Sequence, residues 1–177
     1  MKNKSVCFSG HRPHKLPDNK AIINVLKSRL YMAIIDSVKK GYCEFYTGCA
    51  LGVDIWAAMF LIEMKKSDPK LKVHCVIPYQ GHSKKWSAYD KYNLECVLRN
   101  ADSVCCLSER YYRGCFAVRN KYIVDRSSLL IAVIDDESSG TGQTVRYAEK
   151  NGIEIIRLDV TDADETEYVF AQLNIIH

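Results

Sequence analysis

Three glycine-bearing turns constrain the fold of this chain more than any other feature. They are FSGHRP at residues 8–13, TGCALGVD at 47–54 and SSGTGQT at 138–144. Each turn follows a short apolar run and precedes a stretch with helical spacing, which gives the order strand, turn, helix. Because the carboxyl ends of parallel strands share one edge of a sheet, we expect the three turns to meet there and offer backbone N–H groups to an anion.

The same alternation runs through the whole chain of 177 residues and predicts an α/β fold. Apolar runs predict strands at 5–9, 43–47, 71–77, 103–107, 129–134 and 154–158. Helices are predicted at about 19–40, 50–66, 85–99, 116–125 and 142–150. Strands joined by helices imply a Rossmann-like three-layer fold, with a mostly parallel central sheet and helices on both faces. We expect a single domain over 1–177, closed by a helix at 159–177.

Composition limits the functional classes without choosing one. The formal net charge of +4 is mild and the basic residues are interspersed with acids, so nucleic-acid binding is permitted but not indicated. The eight cysteines include no CxxC pair, which leaves a zinc ribbon or a thioredoxin-type site unsupported. No secretory segment and no apolar run of membrane-spanning length is present. We therefore expect a cytoplasmic protein with no membrane partner, and we predict no metal ligands.

The first turn carries Gly10, His11 and Arg12 at the carboxyl end of a predicted strand. Gly10 can adopt a positive φ and let the backbone approach a ligand. Arg12 offers a planar fork for a phosphate or carboxylate. His11 could donate a hydrogen bond or move a proton. A tight turn with solvated charges is the alternative interpretation.

The second turn carries Gly48, Gly52 and Asp54 and opens a helix. Gly52 is predicted inside the first helical turn, where glycine costs about 1 kcal/mol relative to alanine, so we expect something to approach it closely. Asp54 is favourable beside a helix N-terminus by about 0.3–1 kcal/mol. A carboxylate repels phosphate, so Asp54 is predicted to receive ribose hydroxyls or a metal-bound water. A simple partner of the helix dipole is the alternative.

The third turn leaves the most apolar run and has the composition of a phosphate cradle. Gly140, Thr141, Gly142 and Thr144 would place backbone N–H groups and two hydroxyls at the start of a helix. The lysine of a P-loop is absent, so ATP hydrolysis at this turn is unsupported. A flexible loop with a threonine N-cap is the alternative.

Two further groups of side chains are candidates for ligand contacts. Arg119 and Asn120 lie early in the helix before the fifth strand, where a cation could reach a phosphate held by the third turn. A solvated helix face is the alternative there. Trp86 shares a predicted helical face with Tyr89 and Asn93 and is a candidate for base stacking, worth about 1–3 kcal/mol per base. A place in the hydrophobic core is the competing interpretation of these aromatics.

Several motifs, in order, give the chain a family resemblance. SGHRP, TGCALGVD, RNKYIVDRSSLLIAV and SGTGQTVRYA, with Trp86 downstream of Pro78, resemble the YpsA-like family. That family belongs to the SLOG superfamily, which unites the DNA-processing protein DprA (Smf) with the Lonely Guy phosphoribohydrolases. The resemblance covers about residues 4–158 and implies a Rossmann-like fold with a pocket for a nucleotide or nucleotide derivative. It implies ligand contacts at Gly10, His11, Arg12, Gly48, Gly52, Asp54, Arg119, Asn120, Gly140 and Thr141.

One departure from the resemblance bears on activity. The phosphoribohydrolases have the pattern PGGxGTxxE, whereas here serines precede Gly140 and Thr144 stands where the glutamate would be. The carboxylate that assists glycosidic cleavage is thus absent from its usual position. Asp54 or Glu109 could substitute for it.

These observations lead us to expect a cytoplasmic binding or sensor protein for a nucleotide-like small molecule. No catalytic residue and no tightly held cofactor is assigned. Two other functions stay open, namely hydrolysis of an N-glycosidic or phosphoester bond in a nucleotide and DprA-like binding of single-stranded DNA. The mild, interspersed charge places DNA binding last. Self-association into a homo-oligomer also stays open.

Overall fold

The structure, a computed structural model, describes residues 4–160. The strands in this range are β1 (Ser5–Gly10), β2 (Glu44–Thr47), β3 (Lys72–Ile77), β4 (Ser103–Cys106), β5 (Leu129–Ile134) and β6 (Glu154–Asp159). The helices are α1 (Lys20–Lys39), α2 (Val53–Lys65), α3 (Ala88–Asn100), α4 (Cys115–Asp125) and α5 (Gly140–Lys150), with a 3-10 turn at Pro13–Lys15. The closing helix predicted at 159–177 lies outside the described residues, except for Asp159, which ends β6, and Val160.

The strands form one parallel sheet in the order β4-β3-β2-β1-β5-β6. The chain moves outward from β1 to β4 and then returns to place β5 on the other side of β1. This reversal creates a topological switch point, because the loops that follow β1 and β5 separate there and open a crevice. The predicted Rossmann-like alternation is confirmed, and the described sheet is parallel throughout.

Helices cover both faces of the sheet, which confirms the predicted three layers. Helices α1, α2 and α3 pack on one face, and α4 and α5 pack on the other. The core under the first three helices is built around Phe8, Phe45 and Leu61, all nearly inaccessible to solvent. The core under α4 and α5 includes Leu130 and Val145. Strand β5 is buried along its whole length, as its apolar sequence predicts.

Capping side chains decide where two helices begin. Helix α3 starts at Ala88, later than predicted, because the Ser87 hydroxyl accepts a hydrogen bond from the Asp90 N–H at 3.1 Å. Helix α5 starts at Gly140, earlier than predicted, because Ser139 is its N-cap. A capping residue ends the extended backbone before it and pairs a donor of the first helical turn.

Within residues 4–160, no helix combines the length and the apolarity that crossing a membrane requires. All eight cysteines fall in this part of the chain and are free thiols. The same residues contain no cluster of three or more histidine, cysteine or acidic side chains arranged to hold a metal ion.

Candidate functional site

The three glycine-bearing turns meet at the carboxyl edge of the sheet, as the sequence predicts. Loop 1 follows β1, loop 2 follows β2 and loop 3 follows β5, and β1 lies between the other two strands. A cavity of about 300 Å³, here called the central cavity, lies between the loops. Its lining includes eight of the predicted ligand contacts: Gly10, His11, Arg12, Asp54, Arg119, Asn120, Gly140 and Thr141. Four others lie outside that lining: Gly48, Gly52, Gly142 and Thr144.

His11 ties loop 1 to loop 3. Its side chain is buried, and its Nε2 lies 2.5 Å from Oδ1 and 3.1 Å from the backbone nitrogen of Asp135. The His11 backbone N–H also donates to the Val133 carbonyl at 3.3 Å. Asp135 therefore contacts Nε2 of His11, the ring nitrogen for which the sequence suggested a ligand contact or a proton transfer. In this structure His11 holds two walls of the central cavity together.

Gly10 ends β1, and glycine is needed there for close packing and not for an unusual backbone conformation. It does not adopt the positive φ that its sequence allows. A β-carbon at this position would overlap the side chain of Val53 at the start of α2. Glycine is required because the strand end and the helix N-terminus lie too close together for a methyl group.

Loop 2 turns sharply because two of its residues adopt left-handed φ angles. These are Cys49, with φ of 53°, and Gly52, with φ of 90°. The left-handed region costs a residue with a side chain about 1–2 kcal/mol. The Thr47 hydroxyl supports the turn, since it accepts from the Cys49 N–H at 3.2 Å and donates to the Asp54 carbonyl at 3.1 Å.

Helix α2 consequently starts at Val53, three residues later than predicted, with Gly52 as its N-cap. The cost of glycine inside a helix does not apply, and the positive φ explains the residue instead. Gly52 is approached closely, as expected, but by loop 1: a β-carbon there would lie 3.1 Å from the His11 carbonyl oxygen. Gly52 thus shapes the contact between loops 1 and 2.

A buried pair of opposite charges forms the floor of the central cavity. Arg119 is 4% exposed and Asp54 is 5% exposed, and Nη1 of Arg119 lies 4.0 Å from Oδ2 of Asp54. The Ala50 N–H donates to the same Asp54 oxygen at 3.2 Å. Arg119 also donates through Nη1 to the Gly48 carbonyl, and a β-carbon on Gly48 would overlap its guanidinium group. Gly48 therefore makes room for Arg119.

The two charged groups depend on each other. Burial raises the pKa of the Asp54 carboxyl above its usual value, and the nearby Arg119 only partly opposes that shift. Burial likewise lowers the pKa of the Arg119 guanidinium, and Asp54 opposes it. Asp54 was expected to receive ribose hydroxyls or a metal-bound water. Its partners in the structure include the backbone of Ala50 and Gly48 and the side chain of Arg119.

Asn120 connects this floor to loop 3. Nε of Arg119 donates to Oδ1 of Asn120 at 2.7 Å, and Nδ2 of Asn120 donates to the Thr144 hydroxyl at 2.8 Å. That hydroxyl donates in turn to the Gly140 carbonyl at 3.0 Å. Thr144 therefore uses its hydroxyl within the protein, although the sequence suggested a ligand contact.

Loop 3 presents unpaired donors to the central cavity. The Ser139 hydroxyl accepts from the Gly142 N–H at 3.1 Å, so the N-cap of α5 is a serine and not the suggested threonine. Among residues 4–160, the backbone N–H groups of Gly140 and Thr141 have no hydrogen-bond partner, and neither does the Thr141 hydroxyl, although Thr141 is only 6% exposed. Unpaired N–H groups at the positive end of a helix dipole favour an anion.

Gly142 has a different role from its neighbours in loop 3. A β-carbon on Gly142 would overlap the backbone carbonyl of Glu137, which lies against the first turn of α5. Gly140, by contrast, has open space where a β-carbon would be. The first glycine of the pair lines the cavity, and the second lets the loop pack on the helix.

Arg12 lies at the boundary between the central cavity and a larger one. It is exposed, and its guanidinium carbon lies 4.9 Å from the centroid of the Phe116 ring. Such a cation–π contact at an exposed site contributes about 0.5–1 kcal/mol. Arg12, Phe116 and Arg119 line both cavities, so the two spaces share a wall.

The larger space, of about 820 Å³, is here called the aromatic cavity. Its lining includes the rings of Tyr79, His82, Trp86, Tyr111 and Phe116. The Tyr79 ring lies 5.5 Å from that of Tyr111 and 6.1 Å from that of Phe116, and His82 lies 5.3 Å from Trp86, all in edge-on geometry. Flat, partly exposed ring surfaces of this kind accept a planar ligand group.

Trp86 lines the aromatic cavity, but the helical face predicted for it was wrong. Trp86 precedes α3, and Tyr89 on that helix is 72% exposed and lies outside the cavity lining. Asn93 also lies outside that lining. Trp86 packs in addition against the hydrophobic core, as the competing interpretation expected, and base stacking stays a prediction.

Known proteins with similar sequences place the chain in a family. The sequence profile of the YspA SLOG family matches residues 6–163. The chain belongs to the YspA SLOG family. It is similar to a UPF0398 protein of Bacillus cereus, with 27% identity over 155 residues that cover 84% of each chain. It is also similar to the UPF0398 protein YpsA of Bacillus subtilis, with 26% identity over 170 residues, covering 90% of this chain and 94% of the relative.

Two solved structures of DNA processing protein A share the fold of this SLOG chain. The protein from Helicobacter pylori, described with a single-stranded DNA binding mode, gives a TM-score of 0.60 at 18% identity, covering 97% of this chain and 73% of the other. DprA from Streptococcus pneumoniae gives 0.63 at 17% identity, covering 97% and 57%. These likenesses show the Rossmann-like fold.

The two carboxylates considered as substitutes for the SLOG phosphoribohydrolase glutamate lie in different places. Asp54 is buried beside Arg119, and Glu109 is exposed in the lining of the aromatic cavity. Thr144, at the glutamate's position, is engaged with Asn120. Among residues 4–160, Asp54 is the one carboxylate that lines the central cavity, and it is paired with Arg119.

Sequence analysis missed three residues that shape the site of this SLOG chain: Tyr79, His82 and Phe116. Tyr79 follows the carboxyl end of β3, so the rule that places such ends at one edge could have found it. His82 lies 3.3 Å through Nε2 from the Cys49 carbonyl, and burial lowers its pKa, which keeps the ring neutral at pH 7. The position of Phe116 depends on how α4 packs, and no local signal predicts it.

Proposed function

We propose that this protein binds a nucleotide or nucleotide derivative, with a phosphate group in the central cavity and a ring in the aromatic cavity. The observation that carries the proposal is the set of unpaired donors on Gly140 and Thr141, which share a cavity with Arg12. Backbone N–H groups at a helix N-terminus together with an arginine fork are a recurring way to bind phosphate.

The charges of the central cavity support an anionic ligand. Asp54 is its carboxylate, and Arg119 compensates that charge from 4.0 Å. Arg12 and Lys15 also line the cavity, and within residues 4–160 neither side chain lies within ion-pair distance of a carboxylate. Their positive charge remains available, so a phosphate would meet a net positive potential.

The aromatic cavity supports a planar group attached to that phosphate. One of its rings, Phe116, also lines the central cavity, and the Arg12 guanidinium lies over that ring. Stacking of a base on an aromatic side chain contributes about 1–3 kcal/mol. A nucleoside monophosphate has the required order of parts, since its ring and phosphate are separated by a sugar.

Isothermal titration calorimetry with AMP, ADP and GMP tests the proposal. We expect Arg12→Ala and Thr141→Ala to weaken binding, by about tenfold or more for Arg12→Ala, because a hydrogen bond to a charged group contributes about 1.5–3 kcal/mol. Both variants should keep the melting temperature of the wild type. Arg99→Ala, which removes an equal charge from α3 far along the chain, is the matched control and should bind normally. Absence of heat with every nucleotide, in folded protein, contradicts the proposal.

The same samples separate binding from the alternative functions. Unchanged nucleotide after long incubation, measured by chromatography, is the expected result, because Thr144 and not a glutamate stands in the phosphoribohydrolase pattern. Single-stranded DNA, which DNA processing protein A of Helicobacter pylori binds, should be retained weakly and lost as salt increases. The free thiols fit a reducing compartment, so we place this binding in the cytoplasm.

A further inference from the structure

A third cavity adjoins the central cavity and is lined mainly by residues of α4 and α5. It has a volume of about 280 Å³ and is here called the side cavity. Its lining includes Phe116, Asn120, Gln143 and Tyr147. Gln143 is exposed, and its amide can both donate to and accept from the edge of a base.

The three cavities are contiguous, and the central one lies in the middle. Arg12 and Arg119 line the central and aromatic cavities. Asn120 and Gly140 line the central and side cavities. Phe116 lines all three. The unpaired donors of loop 3 therefore line a cavity that adjoins two further spaces, each bounded in part by aromatic side chains.

We propose that the ligand is a dinucleotide, in which two nucleosides are joined through phosphates. This inference rests on the proposed function and extends it. The phosphates occupy the central cavity, one nucleoside enters the aromatic cavity, and the second enters the side cavity against Tyr147 and Gln143. A mononucleotide would leave one flanking cavity unused.

The helix N-terminus is not the only feature that points to a ligand. Thr141 is only 6% exposed, it lines the central cavity, and its hydroxyl has no partner among residues 4–160. Among residues 4–160 every fully buried side-chain oxygen or nitrogen has a hydrogen-bond partner, so the unpartnered Thr141 hydroxyl is accessible from the cavity. A phosphate oxygen in the central cavity could accept a hydrogen bond from it.

Calorimetry with ADP and with diadenosine diphosphate, two adenosines joined by a pyrophosphate, tests the inference. We expect diadenosine diphosphate to bind about tenfold or more tighter, because its second nucleoside binds as part of the same molecule. Equal affinities overturn the dinucleotide inference and leave the proposed function intact. Absence of binding by both ligands overturns the proposed function as well.

A blocking variant locates the second nucleoside. Ala117 is exposed and lines the side cavity, so Ala117→Trp should fill it and reduce the affinity for diadenosine diphosphate to that for ADP, with ADP binding unchanged. Val118→Trp, one residue along the same helix and outside the lining, is the matched control and should bind both ligands normally. An equal loss for both ligands in Ala117→Trp overturns the assignment.

Two further measurements keep the test decisive. Gln143→Ala, on the exposed surface of α5, should weaken diadenosine diphosphate several-fold and leave ADP unchanged, which covers the case of a misfolded tryptophan variant. A single-stranded deoxyadenosine decamer should bind more weakly than diadenosine diphosphate at physiological salt. Tighter binding of the decamer would overturn the free dinucleotide in favour of nucleic acid.

Discussion

The two edges of the sheet each hold a carboxylate that is at least partly buried, and the contacts of the two carboxylates differ. At the carboxyl edge, Asp54 has Arg119 at 4.0 Å and accepts from the Ala50 N–H at 3.2 Å. At the amino edge, Asp102 precedes β4 and accepts from Lys65 at 2.5 Å and from the Val73 N–H at 2.8 Å, with Lys72 3.4 Å away.

The pKa values follow these contacts. Burial raises the pKa of Asp54, and its partners do not fully offset the effect. Burial also acts to raise the pKa of Asp102, but Lys65, the Val73 N–H and Lys72 together bring it below the usual value. The contacts at the amino edge thus favour the charged form of Asp102, whereas at the carboxyl edge burial outweighs the contacts that favour the charged form of Asp54.

The largest difference between the edges is expected from removal of the cation. Arg119→Ala leaves Asp54 buried without a counterion and should lower the free energy of unfolding by about 3–5 kcal/mol. Lys65→Ala removes a partly exposed partner of Asp102 and should cost about 0.2–1 kcal/mol. Urea denaturation measures both. Adding Asp54→Asn to Arg119→Ala should recover part of the loss, and similar costs for the two single variants would contradict the distinction.

Loop 3 provides a second contrast within the carboxyl edge itself. Gly142→Ala places a methyl group against the Glu137 carbonyl and should destabilise the fold by about 1–3 kcal/mol. Gly140→Ala enters open space at the first position of α5 and should be neutral or stabilising by about 0.4–1 kcal/mol. Thermal unfolding of the two variants decides the matter. Equal melting temperatures would show that the loop adapts.

A crossed comparison separates stability from binding. Asp102→Asn should lower the free energy of unfolding by about 1 kcal/mol or less and leave nucleotide affinity unchanged. Arg12→Ala should do the reverse, because its side chain is exposed and contacts only the Phe116 ring among the aromatic groups. Denaturation and calorimetry on the same preparations supply both quantities. Loss of affinity in Asp102→Asn would argue that the edges are coupled.

The smallest expected effect is an opposite dependence of stability on pH. A folded pKa above the unfolded value of about 3.9 means that the contribution of Asp54 falls as pH rises from about 4 through its folded pKa. A depressed folded pKa means that the contribution of Asp102 is present above about pH 4 and is lost as pH falls through its folded pKa.

Denaturation of the two asparagine variants between about pH 3 and 6 checks these signs. Relative to wild type, the stability of Asp54→Asn should rise with increasing pH, and that of Asp102→Asn should fall. Parallel curves for the two variants would contradict the assigned shifts.

The strand and helix pattern was predictable because it depends on local signals, namely apolar runs and capping residues. The helix boundaries that differ from the prediction also have local causes, but hydrophobic periodicity does not reveal those causes. Helix α2 starts late because of the left-handed Cys49 and Gly52, and α5 starts early because Ser139 caps it. Convergence of the three loops was predictable too, since it follows from parallel pairing.

The roles of individual glycines were not predictable, because they depend on which side chain lies opposite. Gly10 faces Val53 and Gly48 faces Arg119, and both partners are distant in the sequence. The aromatic cavity was missed for the same reason: Tyr79 and Phe116 meet only after β3 and α4 are packed. The sequence shows which glycines and aromatic residues are present, but their roles depend on contacts between segments that are distant in the sequence.

The close approach of the Arg119 guanidinium to Gly48 has a consequence for the evolution of this site. Any side chain gained at position 48 would need the guanidinium to withdraw, and a shorter residue at 119 would leave Asp54 without its counterion. Substitutions at 48, 54 and 119 are therefore expected to arise together rather than one at a time. In homologous chains, the three positions should co-vary as a unit.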